Sequence, residues 1–312
     1  MNTREYESFP RDDIYMREIV NHESRNIPRT EIDLADVIPA IPTLYLEDTI
    51  DYDELEIMIK TQAHAISSVL IATTESSSLS HSEHIEYVQQ AVEIAKIYNV
   101  QVLASSNYTK EQNDVTKVFE AADACLLLPP YYIKASDTDI VRHLTSLNKP
   151  AIIYSISRTV QINNDVIEAL STHPNFLVKE CDADKIKELT NRSIRVWTND
   201  DTSHSDIHES ACTISVVCDI DPNLMLEVTH CVNLTNTAYQ RVMDLSHLMF
   251  LPQPNPKPVH NAIEMIRRAI RIEKPAIFRL PVPLNIEQQK YLKLSDLKIR
   301  SRPFNDNFKL IS

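Results

Sequence analysis

The chain runs for 312 residues without a single glycine. Glycine ordinarily supplies ~7% of residues, so roughly 22 would be expected, and a chance absence has odds on the order of 10⁻¹⁰. No residue of this chain is free of a β-carbon. Every turn or helix end that needs φ > 0 must therefore be built from Asn, Ser, Ala or another substituted residue, at a steric cost. Deliberate removal or loss of glycine from a natural sequence would each produce such a chain, and the spacing of its motifs distinguishes the two.

The remaining pattern is regular. From Asp36 onward, short apolar runs alternate with longer stretches of helical spacing. The runs are Val37–Leu46, Ser67–Ala72, Val100–Ala104, Ala124–Leu128, Ala151–Ile156, Phe176–Val178, Ile194–Trp197 and Thr213–Val217. Their Val, Ile and Leu content is that of strands buried on both faces. Helices are predicted over Asp53–Ala65, Ser80–Tyr98, Lys110–Ala122, Thr138–Leu147, Asn164–Thr172, Ala183–Leu189 and Ser203–Ser210, several of them opening at a residue able to cap. Eight strands with helical crossovers over ~190 residues predict an α/β fold, a (β/α)₈ TIM barrel. An open doubly wound sheet is the rival, disfavoured by the lack of a phosphate-binding glycine fingerprint.

This divides the chain into a polar N-terminal extension (1–35), the barrel (36–220) and a C-terminal helical region (221–312). In the last region, Leu224–Phe250, Ala262–Ile272 and Ile286–Asp296 predict a three-helix appendage.

Composition excludes several functions. Hydrophobic residues make up 43% and charged residues 24%, as in a globular protein. The net charge is −13 and no basic cluster occurs, so nucleic acid is not an expected partner. No apolar run reaches the ~18 residues of a membrane span, and the N-terminus lacks the apolar core of a signal peptide. The five cysteines, without CxxC spacing, predict reduced thiols in a cytoplasmic protein.

In a barrel of this kind the chemistry sits where strands end. Lys179 follows Phe176-Leu177-Val178 and so reaches the mouth. A lysine held against apolar walls loses solvation for its charged form, and the neutral amine can attack a ketone to form a Schiff base. Tyr154, at the end of the neighbouring strand, could move protons during that step. Thr73 and Tyr132 could extend the proton path, and Arg158 could clamp a carboxylate. Taken singly, Lys179 and Tyr154 also read as rim residues and Arg158 as half of a surface ion pair. His81 and His84 share a face at a helix start, and with Glu83 hint at a metal. No third ligand accompanies them, so no metal is expected; a solvated first turn is the plainer reading.

Taken together these segments resemble the dihydrodipicolinate synthase family, within the pyruvate-dependent class I aldolases that include N-acetylneuraminate lyase. DYDELEIMI looks like the first barrel helix, and ATTESSSLSHSEH like G-T-T-G-E-S…L…H-x-E-H. PPYYIKAS looks like T-P-Y-Y-N-(K/R)-P-S, and YSISRT like Y-(N/D)-x-P-x-R-T-G. VKE looks like (I/V)-K-(E/D), and QPNPKPVHNA like E-P-N-P-x-P-x-K-x-A. Ser155, Ile133 and Gln253 are departures outside the core positions. The family's glycines are absent and not replaced: Thr73-Thr74-Glu75 follows Ala72 directly, and Leu103–Asn107 closes up an A-G-x-G-x-N segment. A designer would substitute them. The spacing is that of a natural chain of roughly 335 residues with its glycines removed.

The resemblance implies that Lys179 forms an imine with pyruvate and that Tyr154, Thr73 and Tyr132 relay protons, Tyr132 entering from a neighbouring subunit. It implies that Thr73 and Thr74 hold the pyruvate carboxylate, that the main-chain carbonyl of Ile214 faces the site, and that Arg158 receives L-aspartate 4-semialdehyde. No cofactor is implied. A homotetramer and feedback inhibition by L-lysine are, the latter through Ser76, His81, His84, Asn107, Glu111 and Tyr131. A sister aldolase acting on a sugar acid, or a non-catalytic barrel binding a keto acid, are the alternatives.

Overall fold

The computed structural model describes residues 34–46, 49–73, 78–105, 117, 119–128, 136–145, 149–155, 162–173, 175–198, 212–230 and 236–249. All belong to one compact unit, Met1–Leu280. The described strands are β1 (Val37–Pro39), β2 (Tyr45–Leu46), β3 (Thr49–Ile50), β4 (Ser68–Ile71), β5 (Gln101–Ser105), β6 (Ala124–Leu127), β7 (Ala151–Ser155), β8 (Phe176–Glu180), β9 (Val196–Thr198) and β10 (Thr213–Ser215). The described helices are α1 (Tyr52–Gln62), α2 (His81–Ile97), α3 (Asp137–Thr145), α4 (Asn164–Ser171), α5 (Ala183–Asn191), α6 (Pro222–His230) and α7 (Asn236–Met249).

Eight strands form one parallel sheet in the order β1-β10-β9-β8-β7-β6-β5-β4. A single bridge, Ala40 to Leu70, brings its two edges together, with the Ile41 N–H donating to the Leu70 carbonyl at 2.9 Å. The fold is the (β/α)₈ barrel that the alternation predicts. Interior-facing residues recur at every second position. Ile38, Leu70, Leu103, Leu126, Ile152, Trp197 and Ile214 fill the barrel, with Tyr154 and Leu177 packed against them. The alternate positions, such as Val69, Ile153 and Val178, are buried beneath the helices.

The helices form where apolar spacing and caps coincide. On α2 the buried side chains are His84, Tyr87, Val88, Ala91, Val92 and Ala95, one continuous stripe. Ser80 and Glu83 close a capping box at its start. Asp51, Asn163 and Asp182 cap α1, α4 and α5 with their side chains.

Two predicted elements divide. Val37–Leu46 is not one strand: β1 ends at Pro39, and Pro42 lacks the N–H that a central strand must donate. Tyr45–Leu46 instead pairs antiparallel with Thr49–Ile50. The stretch Leu224–Phe250 contains two helices, α6 ending at His230 and α7 resuming at Asn236. The predicted Ser203–Ser210, Ala262–Ile272 and Ile286–Asp296 helices lie outside the described residues, as does most of Lys110–Ala122 and most of the N-terminal extension.

Among the described residues three take left-handed backbone: Ala72 (φ 57°), Asn99 (φ 56°) and Ser193 (φ 63°). Asn99 and Ser193 follow α2 and α5, where the next N–H groups turn back, Val100 to the Ala95 carbonyl and Ile194 to that of Leu189, both at 3.0 Å. That is a glycine's usual place at a helix end.

Candidate active site

β8 carries Lys179 one position before its end. The period of two sends Leu177 and Lys179 into the barrel and Phe176, Val178 and Glu180 outward. Lys179 is paired in register with Tyr154 on one side and Trp197 on the other. Its side chain is almost wholly buried, and Nζ lies 4.1 Å from the centroid of the Tyr154 ring. A cation there is held by the face of the phenol. An uncharged amine in the same place has a phenol hydroxyl at the end of the ring beneath it. The arrangement can hold an amine nucleophile out of water beside a proton carrier.

Thr73 follows β4, four strands around the sheet from β8, at the same rim. It comes directly after the left-handed Ala72 and donates its hydroxyl to the Ile41 carbonyl at 3.4 Å. Ile214, in the middle of β10, is buried in the barrel between β1 and β9. The structure thus brings Lys179 and Tyr154 into contact and sets Thr73 on the rim. Tyr132, Thr74 and Arg158 lie outside the described residues, as do Ser76, Asn107, Glu111 and Tyr131.

His81 and His84 open α2. His84 is not solvated: it is 1% exposed and its Nε2 lies 3.1 Å from the Ser105 carbonyl at the end of β5. His81, one turn earlier, is half-buried. Among the described residues no group of His, Cys, Asp and Glu side chains could hold a metal ion, and no helix is long and apolar enough to cross a membrane.

Two neighbours of Lys179 escape the sequence argument. The Cys181 thiol donates to the Tyr154 hydroxyl at 3.4 Å. The Glu180 carboxylate, fully buried, accepts from the N–H groups of Cys181 and Asp182 at 2.7 and 3.1 Å. The sequence marks Glu180 only as the last letter of the VKE motif, and Cys181 only by its nearness to the lysine.

The opposite, N-terminal end of the barrel is closed by side chains. The Trp197 indole N–H donates to the Ala35 carbonyl at 3.1 Å, with the Arg195 guanidinium 4.3 Å from its ring. Arg195 pairs with Asp36 and donates through Nε to the Cys212 sulfur at 3.3 Å. His230 Nε2, from α6, lies 3.1 Å from Asp36 Oδ2. Burial pushes the Cys212 thiol up to about 11, against the pull of Arg195, so this sulfur stays protonated.

Fold and site together define a (β/α)₈ barrel with a buried lysine lying over a tyrosine at the strand ends. The profile of the dihydrodipicolinate synthetase family matches residues 33–298, and the chain belongs to that family. It is 31% identical over 271 positions to 4-hydroxy-tetrahydrodipicolinate synthase 2, chloroplastic, of Triticum aestivum, covering 81% of this chain and 70% of the wheat protein. The 4-hydroxy-tetrahydrodipicolinate synthase of Methanothrix thermoacetophila is 29% identical over 296 positions, covering 84% of this chain and 97% of that one. Both matches run over more positions than the covered share of this chain supplies, so gaps open within it. A crystal structure of a dihydrodipicolinate synthase superposes with a TM-score of 0.70 at 26% identity, over 84% of this chain and 98% of the other.

Proposed function

We propose that the protein is a Schiff-base-forming condensing enzyme, a 4-hydroxy-tetrahydrodipicolinate synthase that joins pyruvate to L-aspartate 4-semialdehyde. This is the first committed step of diaminopimelate and lysine biosynthesis. The observation that carries the reading is the buried Lys179 amine against the Tyr154 ring; family membership and the names of the relatives support it.

In this reading the Lys179 amine adds to the pyruvate ketone, and water leaves as the imine forms. Loss of a methyl proton gives the enamine, whose carbon adds to the aldehyde of the second substrate. The substrate amine then adds to the imine carbon, closes the ring and releases Lys179. Tyr154 carries protons with Thr73 and with Tyr132, the latter supplied by a neighbouring subunit of a homotetramer. Thr73 and Thr74 hold the pyruvate carboxylate, beside the Ile214 carbonyl, and Arg158 the carboxylate of the semialdehyde. The lysine imine serves as the electron sink, so the step needs no cofactor. L-Lysine, bound by Ser76, His81, His84, Asn107, Glu111 and Tyr131, lowers the rate in part through the adjacency of Tyr131 and Tyr132.

Borohydride added with pyruvate should trap an adduct on Lys179 and abolish turnover; an adduct on another lysine, or none, contradicts the mechanism. Arg158→Ala should leave trapping intact and impair use of the semialdehyde by ~1.5–3 kcal/mol. A better rate with a sugar acid would assign the chain to a sister aldolase. Trapping with no turnover of any aldehyde would make it a keto-acid-binding barrel.

A further inference from the structure

The last residues of β8 and the start of α5 hold groups that the chemistry above does not use. The Glu180 side chain is fully buried on the outer face of the strand. Its Oε1 accepts from both the Cys181 and the Asp182 N–H groups, and its Oε2 lies 3.8 Å from Lys185 Nζ. Asp182 in turn accepts from the Lys185 N–H at 3.1 Å and caps α5. The backbone on both sides of Cys181 is therefore anchored to a rigid strand and a rigid helix. The half-buried thiol is left with Sγ 3.4 Å from the Tyr154 hydroxyl. That hydroxyl ends the ring on which Lys179 Nζ rests.

We propose that Cys181 is a positioning residue for Tyr154, its thiol donating a hydrogen bond to the phenol oxygen throughout the reaction. The inference rests on the reading of Lys179 as the imine-forming lysine. The thiol is the donor of this pair. Its hydrogen bond occupies one lone pair of the phenol oxygen and turns the phenol's own proton away from the sulfur, into the site. When that proton leaves, the same bond favours the phenolate. Tyr154 is thereby oriented for transfer and made more acidic. An S–H is a weak donor, so the effect is modest. A serine hydroxyl can replace it; alanine and valine cannot.

The test follows the rate of borohydride-trapped pyruvate adduct on Lys179 against pH, with thermal unfolding measured alongside. It compares wild type with Cys181→Ala, Cys181→Val and Cys181→Ser, and repeats Cys181→Ala in a Tyr154→Phe background. Cys181→Ala and Cys181→Val should each slow adduct formation about three- to tenfold. Each should raise the pH midpoint by about half a unit to one unit and leave half-saturation by pyruvate unchanged. Cys181→Ser should recover most of the rate and the midpoint. In the Tyr154→Phe background Cys181→Ala should have no further effect, because the thiol acts only through the phenol oxygen. The inference is overturned if Cys181→Ala keeps the wild-type rate and midpoint. It is overturned equally if serine is as impaired as alanine, or if the loss persists without the Tyr154 hydroxyl. An absent adduct in wild type overturns the imine reading as well, whereas an adduct in wild type with an unaltered Cys181→Ala profile overturns the inference alone.

Discussion

Ala72 holds a left-handed backbone (φ 57°) immediately before Thr73. Its β-carbon crowds the following carbonyl, at a cost of roughly 1 kcal/mol that glycine would not incur. Ala72→Gly should therefore raise unfolding stability by up to about 1 kcal/mol, partly offset by the freedom glycine adds to the unfolded chain. The urea midpoint measures it, and an unchanged or lowered midpoint would mean the turn relaxes around alanine. Lys179 and Tyr154 could be read from the sequence because strand alternation fixes where a side chain points once one neighbour is known to be interior. Cys181 could not. It stands one residue beyond β8, where no period governs direction, and what aims its thiol is a carboxylate on the other face of the strand. The burial of His84 was hidden for a related reason: its partner is a backbone carbonyl 21 residues away, at the end of β5.

Elements with strong local chemistry were legible within a residue or two. The Ser80–Glu83 box and the Asp182 cap mark helix starts whatever the tertiary context. The split of Val37–Leu46 was written in Pro42, although an unbroken apolar run overrode it. The N-terminal end of the barrel depends on pairings among β1, β9, β10 and α6 that no local pattern announces. There Asp36 is partly buried, which works against its ionisation. The hydrogen bond and charge of Arg195, with smaller contributions from Cys212 and His230, prevail and hold its carboxyl below the usual carboxylate range. A carboxyl with a lowered folded pKa adds stability above its unfolded value, near 4, and loses it as pH falls through the folded value. Asp36 and Arg195 are both more than a third exposed, so solvent screens the pair and the gain is small. Asp36→Asn should unfold at a lower temperature than wild type at pH 7, with the gap closing below about pH 4. A gap that persists in acid would assign the effect to packing.

For the molecule as a whole, the barrel and the order of its motifs were legible, and the distribution of left-handed turns was not. Intact mass decides the status of glycine in the native protein. The sequence corresponds to 35.7 kDa. A natural chain with ordinary glycine content would weigh about 1.3 kDa more. The gaps in both alignments to relatives favour the heavier protein. A mass matching the sequence would leave Ala72, Asn99 and Ser193 as native left-handed residues.

The bridge between Ala40 and Leu70 makes this barrel a split ring. Six of the eight junctions are ladders of three or more register pairs; the β9–β10 junction, Thr198 with Thr213, and the Ala40–Leu70 closure each rest on one rung. Thr73 is fastened across that gap, since its hydroxyl reaches the Ile41 carbonyl while the Ile41 N–H reaches Leu70. Springing the ring would carry the threonine and the loop that anchors it apart while leaving Lys179 and Tyr154, on the opposite arc, in contact. The two sides of the barrel mouth thus differ in mechanical stiffness: Lys179 and Tyr154 sit within the laddered arc, and Thr73 on the latch.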